Sequence, residues 1–117
     1  MKVSVSQGTR TAYHYAFKDR ISGEYIIATW RRDAGVETCG WYEKQRDFAA
    51  ICQDQARAQG RYAAFIKLVE SQLDRVMQNP PSRWRTENAH TLSRWLNGDL
   101  VLVRACVTVT LDEQVLP

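Results

Sequence analysis

Cysteine, histidine and acidic side chains are the residues of this chain that could carry covalent or metal chemistry. Cys39, Cys52 and Cys106 are widely spaced and form no C-x-x-C pair, so they indicate neither a zinc site nor a disulfide framework. Cys52 and Cys106 lie in apolar stretches, where a free cysteine usually packs as a small hydrophobic residue. Cys39, between Thr38 and Gly40, is the one cysteine that we would test for reactivity.

Metal and cofactor sites have little support in the sequence. Glu87 and His90 have the i, i+3 spacing of one half of a di-iron carboxylate site, but no second Glu-x-x-His is present to complete it. A cysteine–histidine nucleophile would need His14 or His90 beside a cysteine, and nothing local brings such a pair together. Phosphate-loop, dinucleotide and serine-hydrolase motifs are absent. We therefore expect a protein that is not an enzyme and that uses no metal or cofactor.

Arginines beside tryptophans are the clearest indication of a binding surface. They form two clusters, which are Trp30, Arg31 and Arg32 at the end of a predicted strand, and Arg83, Trp84 and Arg85 at the start of a predicted helix. Arginine is disfavoured by the dipole at a helix N-terminus, which suggests that the second cluster serves contacts. Solvated arginines whose stems cover the tryptophans are an equally open interpretation.

Alternation of apolar and polar residues predicts an antiparallel meander in the N-terminal half. The predicted strands are residues 2–7, 11–18, 24–32 and 36–42. The second of these places Tyr13, Tyr15 and Phe17 on one face. We expect this face to pack against a helix, although exposed aromatics on a sheet can also stack on single-stranded nucleic acid.

The pattern of residues 42–78 predicts one long helical segment, because this stretch contains no proline and has apolar residues at helical spacing. A straight helix of this length would measure roughly 54 Å, whereas a compact chain of this size has a radius of gyration near ~13 Å. We expect a break at Gly60, where the stripe weakens. An unbroken helix would project and could join two copies as a homodimer. Pro80 and Pro81 predict its end.

Two further elements follow the prolines. Ser82 can cap a helix whose apolar face includes Trp84 and Trp95 and which ends at Gly98. Residues 100–111 form the most hydrophobic predicted strand, so we expect this strand to pair inside the sheet and not at its rim.

These elements together predict a single α+β domain over residues 1–117. It consists of an antiparallel sheet of about four to five strands, with strand 100–111 central, covered on one face by the long helical segment and the further helix. No stretch has the length and apolarity of a membrane span or a signal peptide. The free cysteines indicate a reducing compartment, so we expect a soluble cytoplasmic protein.

One family resemblance bears on function. The order of three strands, then Gly40-Trp41-Tyr42, then Phe48-Ala49-Ala50 with Asp54 and Ala56 further on, resembles the sheet-to-helix passage of AP2-like DNA-binding modules. The resemblance covers about residues 11–60, with a one-residue difference in spacing within the helix. In that family, arginine and tryptophan side chains of a three-stranded sheet enter the DNA major groove. The resemblance implies that Trp30, Arg31 and Arg32 are the matching positions.

Two functions from different classes fit these observations. The first is a small non-enzymatic accessory protein that binds nucleic acid through the two tryptophan–arginine clusters, mainly at phosphates and therefore with strong salt dependence. The alternative is a protein-binding inhibitor or adaptor module, of the type encoded by phages and mobile elements, that uses the same residues as interface anchors. The modest formal charge of +3 favours the alternative, whereas the Trp30-Arg31-Arg32 run favours nucleic acid.

Overall fold

The computed structural model describes the backbone of residues 9–78, 83–110 and 114–117, and the side chains of residues 11–78, 88–108 and 114–117. Its elements in chain order are β1 (Thr9–Asp19), β2 (Tyr25–Asp33), β3 (Val36–Gln45), α1 (Gln55–Gln78), α2 (Arg83–Arg94), a π-helical turn (Trp95–Asp99) and β4 (Leu100–Thr110). The predicted strand at residues 2–7 and the predicted cap at Ser82 lie outside the described residues.

The four strands form one antiparallel sheet in the order β3-β2-β1-β4, so the predicted α+β class is confirmed. β1 pairs with β4 along its whole length, from Thr9↔Thr110 to Asp19↔Leu100. Its pairing with β2 is confined to Phe17↔Ile26 and Lys18↔Tyr25. The sheet therefore divides into two branches, a β1–β4 ribbon and a β2–β3 hairpin.

Residues 51 and 52 hold the two branches apart. The backbone N–H of Tyr15 donates to the carbonyl oxygen of Cys52 at 3.0 Å, and the N–H of Ile51 donates to the carbonyl oxygen of Tyr15 at 2.7 Å. These bonds occupy the edge of β1 at the point where β2 would otherwise continue to pair. The β2–β3 hairpin therefore leaves the ribbon beyond Phe17.

The predicted central position of strand 100–111 is wrong, because β4 lies at the rim of the sheet. That prediction was based on the hydrophobicity of the side chains. Side-chain hydrophobicity indicates whether the two faces of a strand are buried, but it does not show whether both of its edges pair with other strands. Leu100 is buried, and Leu102 packs against the core on the side of the helices. Val101 and Val103 lie on the opposite face and are half-buried.

The predicted helix at residues 42–78 begins too early, and its predicted break at Gly60 is wrong. Residues 42–45 extend β3 and pair with β2, as in Ala28↔Tyr42. Asp54 starts the helix, because its side-chain Oδ1 accepts a hydrogen bond from the N–H of Arg57 at 2.7 Å. α1 then continues through Gly60 to Gln78. Burial of Phe65 and Val69 outweighs the cost of one helical glycine, about 1 kcal/mol.

The core is an aromatic and aliphatic cluster between the sheet and the helices. Its fully buried members are Phe17, Ile26, Phe65, Val69, Leu92, Trp95 and Leu100. The Phe17 ring stacks on Phe65 with 5.3 Å between centroids. The expected helix-facing role of the β1 aromatics thus holds for Phe17 and for buried Tyr15, but Tyr13 is 50% exposed.

One carboxylate, Asp19, is buried at the end of β1 and joins three elements. The guanidinium of Arg94 donates to both of its oxygens, at 3.1 and 2.9 Å, and the indole Nε1–H of Trp95 donates at 2.9 Å. The backbone N–H of Ile21 donates to Oδ1 at 2.9 Å. Burial alone would raise the pKa of Asp19, but these hydrogen bonds, led by that from Arg94, hold it well below its usual range.

Gly98 ends the helical part as predicted. Its φ of 99° lies in the left-handed region, and the chain passes directly from it through Asp99 into β4. The phenol of Tyr62 on α1 donates to the carbonyl oxygen of Leu100 at 2.7 Å, which fixes the first residue of that strand.

Replacing Asp19 by asparagine should be strongly destabilising, because it removes the closest carboxylate partner of Arg94 and leaves it, among the residues that the structure describes, only the longer contact with Oδ2 of Asp99, at 3.5 Å. We expect the free energy of unfolding at neutral pH to fall by about 3 kcal/mol, measured by urea denaturation. The matched change Asp33→Asn removes an exposed carboxylate and should cost less than about 0.5 kcal/mol. Equal losses in the two variants would contradict the role given to Asp19.

The same variant should alter the pH dependence of stability. Because the pKa of Asp19 is lower in the folded chain than in the unfolded chain, its contribution is complete above about pH 4 and is lost as the pH falls further. Wild type should therefore lose stability faster than Asp19→Asn on acidification. Parallel stability curves below about pH 4 would show that this carboxylate does not titrate with unfolding.

Replacing Gly60 by alanine should stabilise the chain by about 0.5 to 1 kcal/mol, because alanine has the higher helix propensity. Nothing lies within 4 Å of the added Cβ. The control is Gly98→Ala, which places a side chain at a φ of +99° and should be destabilising. Thermal unfolding of the two variants beside wild type measures both effects. A lower melting temperature for Gly60→Ala would refute this prediction.

Candidate functional site

A groove of about 660 Å³ separates α1 from the distal part of the β2–β3 hairpin. Its floor is formed by small and apolar residues, namely Val36, Cys39, Gly60, Ala63, Ala64 and Leu68, and its cationic side chains are Arg32, Arg57 and Lys67. We call this site the basic groove. On α1 the spacing of residues 57, 60, 64 and 67 places them along one helical face. The small residues on that face leave the space that the groove occupies.

Arg61 of α1 binds Glu37, the acidic residue that lines the basic groove. Its Nε donates to Oε2 of Glu37 at 3.0 Å, and Nη1 donates to the carbonyl oxygen of Ile51 at 2.6 Å. Both side chains of the ion pair are largely buried. The hydrogen bond from Arg61 lowers the pKa of Glu37, so this carboxylate is ionised at neutral pH and its charge is balanced locally.

The basic groove is therefore positively charged. Arg32, Arg57 and Lys67 are exposed. Over residues 11–78, 88–108 and 114–117, none of the three forms a salt bridge. Glu37 is the acidic residue of the lining; it is hydrogen-bonded to Arg61, and Arg32 and Arg57 act on its charge only at longer range. Three cations thus surround an apolar floor without a counter-charge in contact.

The structure places the predicted contact Trp30 on the helix side of the sheet. Its ring makes an edge contact with Phe17 at 6.2 Å, and the Arg61 guanidinium lies over it, with 5.2 Å from Cζ to the ring centroid. Trp30 is half-buried and packs against the core. One face of its ring is covered by Arg61 and is not available for stacking on a base.

The two arginines that follow Trp30 point to different sides. Arg32 lines the basic groove. Side chains alternate along a strand, so Arg31 lies on the opposite face, where its Nε contacts Oδ2 of Asp33 at 3.1 Å and its side chain is 79% exposed. The predicted cluster Trp30, Arg31 and Arg32 is therefore not one surface.

The second predicted cluster lies at the start of α2. Arg83, Trp84 and Arg85 belong to this helix, and their side chains lie outside the described part of the chain. Their contact role stays a prediction. Among the residues that the structure describes, no group of three or more histidine, cysteine or acidic side chains could hold a metal ion.

Sequence reasoning missed Arg57 and Lys67, which the helical wheel assigns to the solvent side of α1. The signal that could have identified them is their spacing on the same helical face as Gly60 and Ala64.

The sequence prediction also missed Trp41, which is 50% exposed on the open face of the sheet. The N–H of Trp41 donates to Oγ1 of Thr29 at 3.1 Å, which fixes its backbone beside β2.

Comparisons with known proteins give no guide to this site. No protein-family model, curated protein or solved structure matches the chain. Neither α1 nor α2, in their described residues, combines the length and apolarity needed to cross a membrane.

The thiol of Cys39 should react slowly, although it lines the basic groove. Burial raises its pKa to about 11, and its Sγ lies 3.5 Å from the carbonyl oxygen of Trp41. At neutral pH we expect iodoacetamide to alkylate exposed Cys106 much faster than Cys39. Peptide mass spectrometry over a time course measures both rates. Alkylation of Cys39 at a rate equal to that of Cys106 would be evidence against this environment.

Proposed function

We infer that this chain is a non-enzymatic binding protein whose basic groove receives an acidic, amphipathic segment of a partner protein. The observation that supports this function is the combination of an apolar floor with three exposed cations. Charge complementarity would orient the segment, and its apolar side chains would lie on Ala63, Ala64 and Leu68.

The floor favours a protein segment over a nucleic acid. Phosphates and sugars gain little from apolar contacts, whereas leucine or phenylalanine side chains gain free energy when their apolar surface is removed from water. Trp30, the aromatic residue of the first predicted cluster, is half-buried and is therefore less available for stacking on single-stranded nucleic acid. The adaptor or inhibitor function therefore explains more of the groove than phosphate binding does.

Nucleic acid remains the second candidate, and two observations favour it. Arg32, Arg57 and Lys67 could each contact a phosphate, and exposed Arg31 lies on the open face of the sheet. Three phosphate contacts would give a slope of about −2.7 when the logarithm of the affinity is plotted against the logarithm of salt concentration. Binding without such a slope would not be phosphate binding.

Charge reversal in the basic groove tests the proposed function. We expect Arg57→Glu with Lys67→Glu to weaken binding of a labelled peptide that alternates leucine and glutamate by about tenfold or more. Both residues are exposed and outside salt bridges, so the chain should still fold. The matched control, Arg31→Glu with Arg46→Glu, makes the same change in net charge outside the groove and should bind the peptide like wild type.

An uncharged variant separates the two candidates. Ala63→Gln keeps good helix propensity and fills the floor at an exposed position. It should abolish peptide binding but leave binding of labelled duplex DNA, single-stranded DNA and RNA unchanged. Steeply salt-dependent nucleic-acid binding that survives Ala63→Gln and is lost in the charge-reversal variant would establish the second candidate in place of the first. Failure to bind any of these probes at low salt would overturn both.

A further inference from the structure

We propose that two copies of this chain pair edge to edge through β4, in antiparallel orientation, so that one sheet continues through both. The inference concerns the β1–β4 ribbon and does not depend on the function of the basic groove. The proposed interface is the outer edge of β4 from Leu102 to Thr108, which pairs with no other strand among the residues that the structure describes, and the apolar face beside it.

The direction of the backbone bonds shows which peptide groups are free. Tyr15 uses its N–H and carbonyl on the side away from β4, and the N–H of Asp19 likewise donates to the carbonyl oxygen of Glu24. In an antiparallel sheet, successive residues of a strand form their backbone hydrogen bonds on alternate sides. The even-numbered residues of β1 therefore bond to β4, as in the pair Ala16↔Val103. The N–H and carbonyl groups of every second residue of β4 therefore point outward. These residues are Leu102, Arg104, Cys106 and Thr108.

The two rims of the sheet are protected to different degrees. β3, at one rim, carries Glu37, Glu43 and Lys44, and its pairing with β2 is interrupted by a bulge beside Trp30. β4, at the other rim, has one charged residue, Arg104, and neither proline nor glycine. Charges, proline and bulges are the usual devices that keep an edge strand from pairing with another chain. Of these devices, β4 has only the single charge of Arg104.

On β4, the face opposite the helices is apolar, because it carries Val101, Val103, Ala105 and Val107. On β1, the same face carries Ala12, His14, Ala16 and Lys18. Pairing through β4 would join this face to the same face of a second copy, which would bury valines that are half-exposed in one chain.

A second copy fits this edge because β4 can oppose itself without repulsion. The Arg104 guanidinium lies over the Tyr13 ring, with 4.5 Å from Cζ to the centroid, and so is held by its own chain. A two-fold axis at Ala105 or at Cys106 places Arg104 opposite Cys106 or Thr108, which are uncharged. Like charges would therefore not meet in either register.

The variant Thr108→Pro tests the interface, and Thr108→Ala is its control. Proline removes an N–H that points away from β1, so the β1–β4 ladder is kept while the outer edge is blocked. By sedimentation equilibrium over a concentration series, we expect dimers for wild type and Thr108→Ala and monomers for Thr108→Pro. Circular dichroism should show the same fold in all three.

Amide hydrogen exchange tests the interface in the wild-type chain, so the result does not depend on how a substitution affects folding. In the dimer, the outward amides of Arg104 and Cys106 should be protected to the same degree as the inward amides of Val103 and Ala105. Fast exchange at the outward amides, with protection at the inward ones, would overturn the proposal. So would a wild-type chain that is monomeric at every concentration, or a folded Thr108→Pro variant that still forms dimers.

Discussion

The buried Asp19 carboxylate joins the end of β1 to the junction between α2 and β4, and the rest of the fold depends on this contact. It ends β1, and it receives hydrogen bonds from Arg94, the last residue of α2, and from Trp95 in the turn that leads into β4. A buried charge costs several kcal/mol unless its hydrogen-bonding capacity is filled. The end of β1 and the α2–β4 junction must therefore stay together, and Trp95 is held where Phe65 and Tyr42 pack on it.

The Asp19 anchor and the backbone bonds of residues 51 and 52 together explain why the sheet has two branches. β1 and β4 are joined to the helices at the Asp19 end, while residues 51 and 52 take the edge of β1 at Tyr15 and exclude β2 from it. The β2–β3 hairpin then follows α1, and Arg61 holds it there through Glu37. The basic groove belongs to this branch, and the outer edge of β4 belongs to the other. Each has its own physical origin, because one depends on small residues of α1 and the other on unpaired backbone groups.

Local pattern was enough for most of the elements and for the antiparallel order of β1, β2 and β3, but not for the position of β4 or for the division of the sheet into two branches. Strand alternation predicted β1, β2 and β4 nearly to their ends, and Gly98 gave the correct stop, because these signals depend on neighbouring residues. Residues 42–45 suit either a helix or a strand, and pairing with β2 decided between them. Asp19 has the sequence context of a turn, so its role was invisible before Arg94 and Trp95 were placed beside it. Burial of Trp30 was implicit in its alternation with Ile26 and Ala28.

The two sites are related through the order of the strands. An edge-to-edge pair about a two-fold axis perpendicular to the sheet would keep the helices of both copies on the same face and would place β3 of each copy at an outer rim. Each basic groove lies beside β3, so the pair would present two grooves on one face, at opposite ends of the continuous sheet. A partner with two acidic segments long enough to span that sheet could engage both, and the second contact would then form at a high effective concentration. Weak charge complementarity at each groove would in that arrangement be sufficient for stable binding.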